Sequence, residues 1–474
     1  MQTQLTKIIA TVKDDCPIER VIQLYDAWVD VIRINFTHAT PESSKNLLEA
    51  INKVNKQGIT HLSTLLDTKW PDIRTWIRKA PLQVKRNQVF NIFIDESKLT
   101  KDSDIFCDYA WIVKDVKIWQ EIIIDSWLLL VEVKEVKKDS LIVKALNDAE
   151  IWSKRHINLP WVKVSLPAMI EKDRTDILFW IKMGISYVAA SFIRTGENVK
   201  EIREFLDKHE WNHVKIISKI ENKEAIENLE EIVKNSDWIM VARGDLWIEM
   251  PIYELPVYQK RILDMCFQYW KPVIIATELM KSMVNNPFPT RAEVSDVYNS
   301  VLMRADAVML SDETAVWKYP IKAVQYMEKI VAEAERTTTN KHKDFDIQTT
   351  NEAEVLKKAL SRYALMLADE IHAKAVIAFS YSWNLARYLS ALKPNIPVIS
   401  FTEDFDTHYS MWINFWVFSK KIRKFSKHMS EDQEIAIEAL KEERIIKKWD
   451  QIIIIWVRLY NWIRQPQIRV VPIT

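Results

Sequence analysis

The chain has 474 residues, enough for two to four domains and several separate cores. Lys and Arg number 66 against 65 Asp and Glu, so no positive field is available to hold a nucleic-acid backbone. The longest apolar candidate, residues 451–457, is far short of a membrane span, and the first residues lack the basic-then-apolar pattern of a leader. Cys16, Cys107 and Cys266 are scattered without paired metal spacing, and the whole reads as a soluble cytoplasmic globular protein.

Short apolar runs recur along the chain, and polar groups follow most of them. Ile8 to Thr11 opens the series; Val31-Ile32 leads into Arg33, Asn35 and Thr37; Leu62 to Leu66 leads into Asp67-Thr68-Lys69. Tyr187 to Ala190 leads into Ser191 to Arg194, and Ile216 to Ser218 into Lys219-Ile220-Glu221. Ile239 to Ala242 precedes Arg243-Gly244-Asp245, Val273 to Ala276 precedes Thr277, and Ala307 to Leu310 precedes Ser311 to Thr314. Each run suits a buried strand and is too short for a helix. Helical patterns lie between most of them, as in Lys200 to His209, where Ile202, Phe205 and Leu206 share a face.

Eight strands alternating with helices predict a closed (β/α)8 TIM barrel, whose chemistry gathers at the C-terminal strand ends. About a hundred residues separate the third and fourth strands, too many for one crossover. Within that gap Glu121 to Asp125, Leu128 to Val133 and Leu141 to Ala145 read as strands of an inserted small β-barrel domain. Thr337 to Glu354 reads as a polar boundary loop. Beyond it Ala375 to Phe379, Val398 to Phe401, Ile452 to Ile455 and Ile468 to Val471 predict a C-terminal open-sheet α/β domain. The predicted division is residues 1–70 and 167–340 for the barrel, 71–166 for the insert and 341–474 for the last domain.

The barrel topology would bring Arg33, Asp67, Lys219, Glu221, Asp245 and Thr277 to one rim. Glu221 and Asp245, on adjacent strands, are a plausible divalent-metal pair in the style of Mg²⁺, with substrate oxygens completing the shell. Lys219 shares a strand face with Glu221 and suits the stabilisation of charge on a transferring phosphoryl group. Arg33 and Arg74 suit phosphate oxygens as planar donors. Taken singly, each arginine reads as half of a rim salt bridge; six polar groups at one rim reverse that balance. Gly244 lets backbone amides approach a ligand closely.

The chain resembles the pyruvate kinase family. The motifs that carry this are residues 33–38 (Arg-Ile-Asn-Phe-Thr-His), 67–75, 216–222, 236–251 and 286–296, the last (Asn-Pro-Phe-Pro-Thr-Arg-Ala-Glu-Val-Ser-Asp) especially diagnostic. The resemblance implies Mg²⁺- and K⁺-dependent phosphoryl transfer from phosphoenolpyruvate to ADP, in a homotetramer. It implies Glu221 and Asp245 as ligands of Mg²⁺ or Mn²⁺, with Lys219 and Arg33 on the phosphoryl group. Asn35, Thr37, Asp67 and Thr68 would form the K⁺ site, with Asp72 standing where K⁺-dependent members carry an acid. Arg74 and Lys154 would lie near the nucleotide phosphates. Thr277 would lie near the face of the enolpyruvate that is protonated, through water, and the Gly244 and Asp245 amides would receive the substrate carboxylate. Residues 380–384 only partly resemble a loop that binds a sugar-phosphate activator in some members.

Departures are of two kinds. Ala39, His156 and Asp312 stand where glycine is usual, Glu278 replaces a common Gln, and residues 13–15 replace a Gly-Pro turn. Tryptophan is the other kind: the chain has 20 Trp and 4 Gly. Trp28, Trp70, Trp76, Trp127, Trp161, Trp238, Trp247, Trp270, Trp317 and Trp456 occupy positions where the family has glycine. Were every tryptophan a glycine, glycine would reach about 5%, near ordinary usage. The reading is that these are glycines in the organism, from a UGA codon reassigned to glycine but translated as tryptophan. Two rivals to the enzyme reading stay open: a carbon–carbon lyase on a related phosphoenolpyruvate/pyruvate barrel, and a catalytically dead metabolite sensor if tryptophan truly fills positions 70 and 247.

Overall fold

The computed structural model describes residues 5–36, 39–68, 73–76, 80–99, 101–315, 318–337, 351–380, 384–403, 408, 411, 414–415, 417–422, 424–426, 429–460 and 463–474. The predicted strands come first: β1 (Lys7–Val12), β2 (Val31–Asn35) and β3 (Ser63–Asp67). The inserted segment then supplies β4 (Leu82–Val84), β5 (Val89–Phe93), β6 (Ile105–Phe106), β7 (Glu121–Ile124), β8 (Leu129–Val136), β9 (Ser140–Ala145), β10 (Ala149–Ile151) and β11 (Ile157–Asn158). The chain returns with β12 (Tyr187–Ala190), β13 (Lys215–Ile220), β14 (Trp238–Ala242), β15 (Val273–Ala276) and β16 (Ala307–Leu310).

Strands β1, β2, β3 and β12 to β16 close into a parallel barrel in the order β1-β16-β15-β14-β13-β12-β3-β2. All eight strands expected from the apolar runs are present. Alternation builds two layers on this one sheet. Ile9, Val31, Leu65, Ile217, Met240 and Ile274 belong to one core, whereas Ile8, Ile32, Leu66, Ile216, Val241 and Ile275 belong to the core under the helices. Those helices start at real caps: Thr40, Thr195 and Thr290 each accept the backbone N–H three residues on.

The insert forms a six-stranded sheet, β11-β7-β8-β9-β5-β6, and the pair β10-β4, around a core of its own that includes Phe90, Ile122, Leu129 and Val143. The last five strands, β17 (Ala375–Phe379), β18 (Val398–Thr402), β19 (Val417–Lys421), β20 (Gln451–Tyr460) and β21 (Ile463–Pro472), form an open sheet ordered β19-β18-β17-β20-β21. Only β21 runs antiparallel to its neighbour. No described helix is long and apolar enough to cross a membrane.

Two differences from the sequence reading have physical causes. Residues 337–354 were expected as one loop, but a helix runs through Thr337 and another starts at Glu352. Asn351 caps the second, its side chain accepting from Ala353 and Glu354 amides, a cap hidden in a polar run. Strand β19 has no regular alternation in sequence and is fixed by pairing with β18. All three cysteines are buried, and burial pushes the Cys16 thiol up to about 11 and the Cys107 thiol up to about 12.

Tryptophan sits where the backbone wants glycine. Trp28, Trp119, Trp127, Trp161, Trp270 and Trp449 have φ between 57° and 87°, where a Cβ costs roughly 1–2 kcal/mol. Others named from sequence differ: Trp238 lies fully buried in β14, and Trp247 has φ −70°. For Trp238 the strain is different, since its indole N–H is buried without an acceptor. Positions 70 and 317 lie outside the described residues.

Trp119 and Trp449 combine φ of 73° and 75° with 71% and 82% exposure, so their rings contribute little packing to set against the strain. Trp119→Gly and Trp449→Gly should therefore each raise stability by roughly 0.5–1 kcal/mol after glycine's own entropy cost, seen as a higher melting temperature; a fall would contradict the backbone argument. Intact mass of the protein from its native source should lack the indoles; a mass with all of them defeats the recoding reading.

Glu335 accepts the Leu5 and Thr6 amides ahead of β1. Burial pushes its carboxyl from 4.5 up to about 7. The native state thus holds a proton that the unfolded chain releases, so this contribution to stability is present below pH 4.5 and lost as pH rises through about 7. Glu335→Gln should flatten that part of the stability–pH curve in urea titrations.

Candidate active site

Period-two alternation builds the site. Val31, Leu65 and Ile217 share one core, and two residues further along the same strands stand Arg33, Asp67 and Lys219. All three are buried, as is Glu221 just past β13. Arg33 Nε and Nη2 both lie 2.8 Å from Asp67 Oδ2, and Nη1 donates to Thr11 Oγ1 at 2.8 Å. Lys219 Nζ lies 3.2 Å from Asp67 Oδ1, 2.9 Å from Ser191 Oγ and 2.7 Å from Glu221 Oε1. Asp67 thus joins both cations.

The charges tune one another. Burial works to raise the Asp67 carboxyl, but Lys219 and Arg33 together hold it below its ordinary range. Burial works to lower Lys219, and the carboxylates of Asp67, Glu221 and Asp245 overcome it, so the ammonium stays charged. Glu221 is pushed up to about 7 by burial, with the Asp245 charge adding and Lys219 opposing. Its Oε2 accepts the Phe192 N–H at 2.5 Å, while Oε1 is paired with the Lys219 ammonium at 2.7 Å. The Glu221 carboxylate thus already faces one cation, and with Asp245 adding negative charge beside it the pair suits a second. Among the described residues no three His, Cys, Asp or Glu side chains converge, so a metal held by Glu221 and Asp245 would draw its other oxygens from substrate or water.

Asp245 is carried by the short helix Arg243–Leu246, which begins directly at the end of β14. Arg243 anchors it: Nη1 lies 2.8 Å from both Asp296 oxygens, and Nε and Nη2 donate to the Thr277 carbonyl. Thr277 has φ 68°, an outlier for a β-branched residue and a mark of local strain. Its hydroxyl accepts the Gly244 N–H at 2.6 Å, and a Cβ on Gly244 would meet that oxygen at 3.2 Å. Here the Thr277 hydroxyl takes the Gly244 amide that the resemblance assigns to the substrate carboxylate.

For the expected K⁺ ligands, Asn35 and Asp67 are register partners across β2 and β3, and Thr68 follows. The Thr68 hydroxyl donates to the Ala189 carbonyl, leaving its lone pairs for another partner. Thr37 and Asp72 lie outside the described residues. Arg74 and Lys154 stand together on the insert, Arg74 Nη1 donating to the Lys154 carbonyl and Nη2 lying 2.7 Å from His156 Nε2. Trp127 of the insert stacks on Trp247 beside Asp245, ring centres 6.5 Å apart.

Sequence reading missed Thr11 and Ser191 as parts of the charge network, although both fall at polar strand ends. The tie from Arg243 to Asp296 was equally invisible. It gives the 286–296 motif a physical role, since its last residue fixes the strand end that bears Gly244 and Asp245.

Comparison with known proteins agrees with this geometry. The model of the family described as pyruvate kinase, barrel domain, matches residues 3–324, and that of pyruvate kinase, alpha/beta domain, matches residues 358–457. The chain is 35% identical over 454 residues to pyruvate kinase of Clostridium perfringens, covering 95% of this chain and 96% of that one. With pyruvate kinase of Geobacillus stearothermophilus the identity is 34%, over 95% of this chain and 77% of the relative. A crystal structure of a pyruvate kinase from Cryptosporidium parvum superposes with TM-score 0.92 and 31% identity, covering 99% of this chain and 96% of that one. A closed barrel with a buried Arg–Asp–Lys–Glu mouth, both family models and matched relatives along nearly the whole chain lead to one conclusion: this chain is a phosphotransferase of the pyruvate kinase family.

Proposed function

We propose that the protein transfers the phosphoryl group of phosphoenolpyruvate to ADP, using Mg²⁺ (or Mn²⁺) and K⁺. The observation that carries this is the buried network in which Arg33 and Lys219 flank Asp67 while Lys219 reaches on to Glu221. Glu221 and Asp245 would hold the divalent ion, which when bound supplies positive charge to the phosphoryl oxygens. Asn35, Thr37, Asp67 and Thr68 would hold K⁺, a second fixed charge.

The protein's own groups do the positioning. Arg33 and Lys219 cannot relax away from the phosphoryl group, because Asp67, Thr11 and Ser191 fix them from behind. Fixed donors stabilise charge without reorganising as the reaction proceeds. The bond from phosphorus to the enolate oxygen breaks and one to the terminal ADP oxygen forms, with Arg74 and Lys154 of the insert, read as a lid, on the nucleotide. The released enolate takes a proton at its methylene carbon from water held near Thr277. Binding of the substrate carboxylate falls to the Gly244–Asp245 peptide, with the Thr277 hydroxyl re-donating as it yields the Gly244 amide. Assembly as a homotetramer in the cytoplasm completes the proposal.

ATP formation from ADP and phosphoenolpyruvate, followed with Mg²⁺ and K⁺ present, tests the reading; a folded sample without turnover defeats it. Lys219→Met should lower kcat about 100- to 1,000-fold while leaving Mn²⁺ binding nearly intact. Glu221→Gln and Asp245→Asn should instead weaken Mn²⁺ binding, read directly by electron paramagnetic resonance. Asp296→Asn should act through Arg243 as a positioning change, lowering kcat several-fold with the fold retained; equal loss of thermal stability and activity would point to a purely structural role.

A further inference from the structure

Where the insert joins the barrel, a cavity of about 160 Å³ lies behind the metal-binding carboxylate. Its apolar wall includes Ile73, Val164 and Leu166 from the insert and its connections, and Phe192 from the end of β12. Its polar groups are unusual. Asn158 Oδ1 and Glu224 Oε2 are both buried and both lack a hydrogen-bond partner. Buried polar atoms are rarely left so, and each costs roughly 1–3 kcal/mol. Both are acceptors, and a third acceptor group, Glu249, lies beside them with Asn158 Nδ2 only 3.4 Å away.

The cations on the wall do not answer this need. Arg194 Nη2 donates to the Leu166 carbonyl, and Lys223 Nζ stands over the Trp161 ring at the cavity's edge. Lys163 and Arg194 act on Glu224 by charge, without a hydrogen bond to its Oε2. The space is therefore apolar in body and short of donors at one end. We propose that this hinge cavity is a regulatory binding site for a small amphipathic molecule, an apolar ring or chain bearing an amine or amidine.

Its regulatory character follows from what the walls touch. Phe192 has φ 52°, a strained conformation for a bulky residue, and its N–H holds Glu221 Oε2 at 2.5 Å. Asn222, also on the wall, is covalently next to Glu221. The bond from Asn158 to Glu249 crosses from insert to barrel. An occupant thus presses on the peptide that aims the metal ligand and on the link between the two bodies. Binding at the cavity stands apart from the phosphoryl-transfer reading; only the coupling to Glu221 rests on it.

Benzamidine is a suitable probe, with full-length protein in both the Trp161 and Trp161→Gly forms. Ligand-observed NMR titration should show saturable binding that Glu224→Gln weakens by about tenfold, the worth of one charged hydrogen bond. Val164→Trp, or Leu166→Phe if the first variant fails to fold, should fill the space and abolish binding. Mn²⁺ affinity, read by electron paramagnetic resonance, should shift at least twofold when benzamidine is bound. No saturable binding at millimolar probe, or equal binding by the filled variant, overturns the site; unchanged Mn²⁺ affinity overturns the coupling. Turnover of phosphoenolpyruvate and ADP, measured without probe, reports separately on the reaction itself.

Discussion

Four buried charges at the barrel mouth are the constraint on which the molecule turns. Moving a carboxylate or an ammonium out of water costs several kcal/mol unless partners and hydrogen bonds replace the solvent. Here Asp67 sits between Arg33 and Lys219, and Lys219 reaches on to Glu221, so each charge has an opposite neighbour. Such an arrangement needs walls that do not yield. The closed sheet supplies them, because strand register sets Arg33 against Leu65 and Asn35 against Asp67. A one-residue slip would turn these groups away from the mouth and put apolar side chains in their place.

How much of this could be read from sequence depends on whether information was local. The eight barrel strands were legible because each is a short apolar run ended by a polar cluster, and the topology of eight such units leaves few choices. Arg33, Asp67, Lys219 and Glu221 were legible for the same reason: each ends a run, and even spacing puts each on the core face. What escaped was long-range. Arg243 lies 53 residues from Asp296, and nothing in either neighbourhood announces the pair. Phe192 was readable as a strand end, but not its φ of 52° nor its amide's hold on Glu221. The Asn351 cap was lost in a polar stretch, since capping residues and loop residues are the same types.

The tryptophans show the limit of composition and the value of backbone. Their excess over glycine suggests substitution without saying where it hurts. Among the described residues six left-handed positions say where, and they divide by cost. Trp270 is fully buried near Tyr388 and has packing to offset its strain; Trp119 and Trp449 are largely exposed and do not. Trp127 and Trp247 matter differently, for their stack ties the insert to the rim beside Asp245. Glycine at both positions would remove that tie and leave the Asn158–Glu249 link in place.

Attack on an electrophile or an oxidant requires a thiolate, and burial holds Cys16, Cys107 and Cys266 in the neutral form. Cys107 belongs to the core of the insert, and Cys16 and Cys266 to the core under the barrel helices. The folded chain therefore offers peroxide no thiolate at these three positions, and oxidation falls first on accessible thioethers such as Met303, which is 37% exposed.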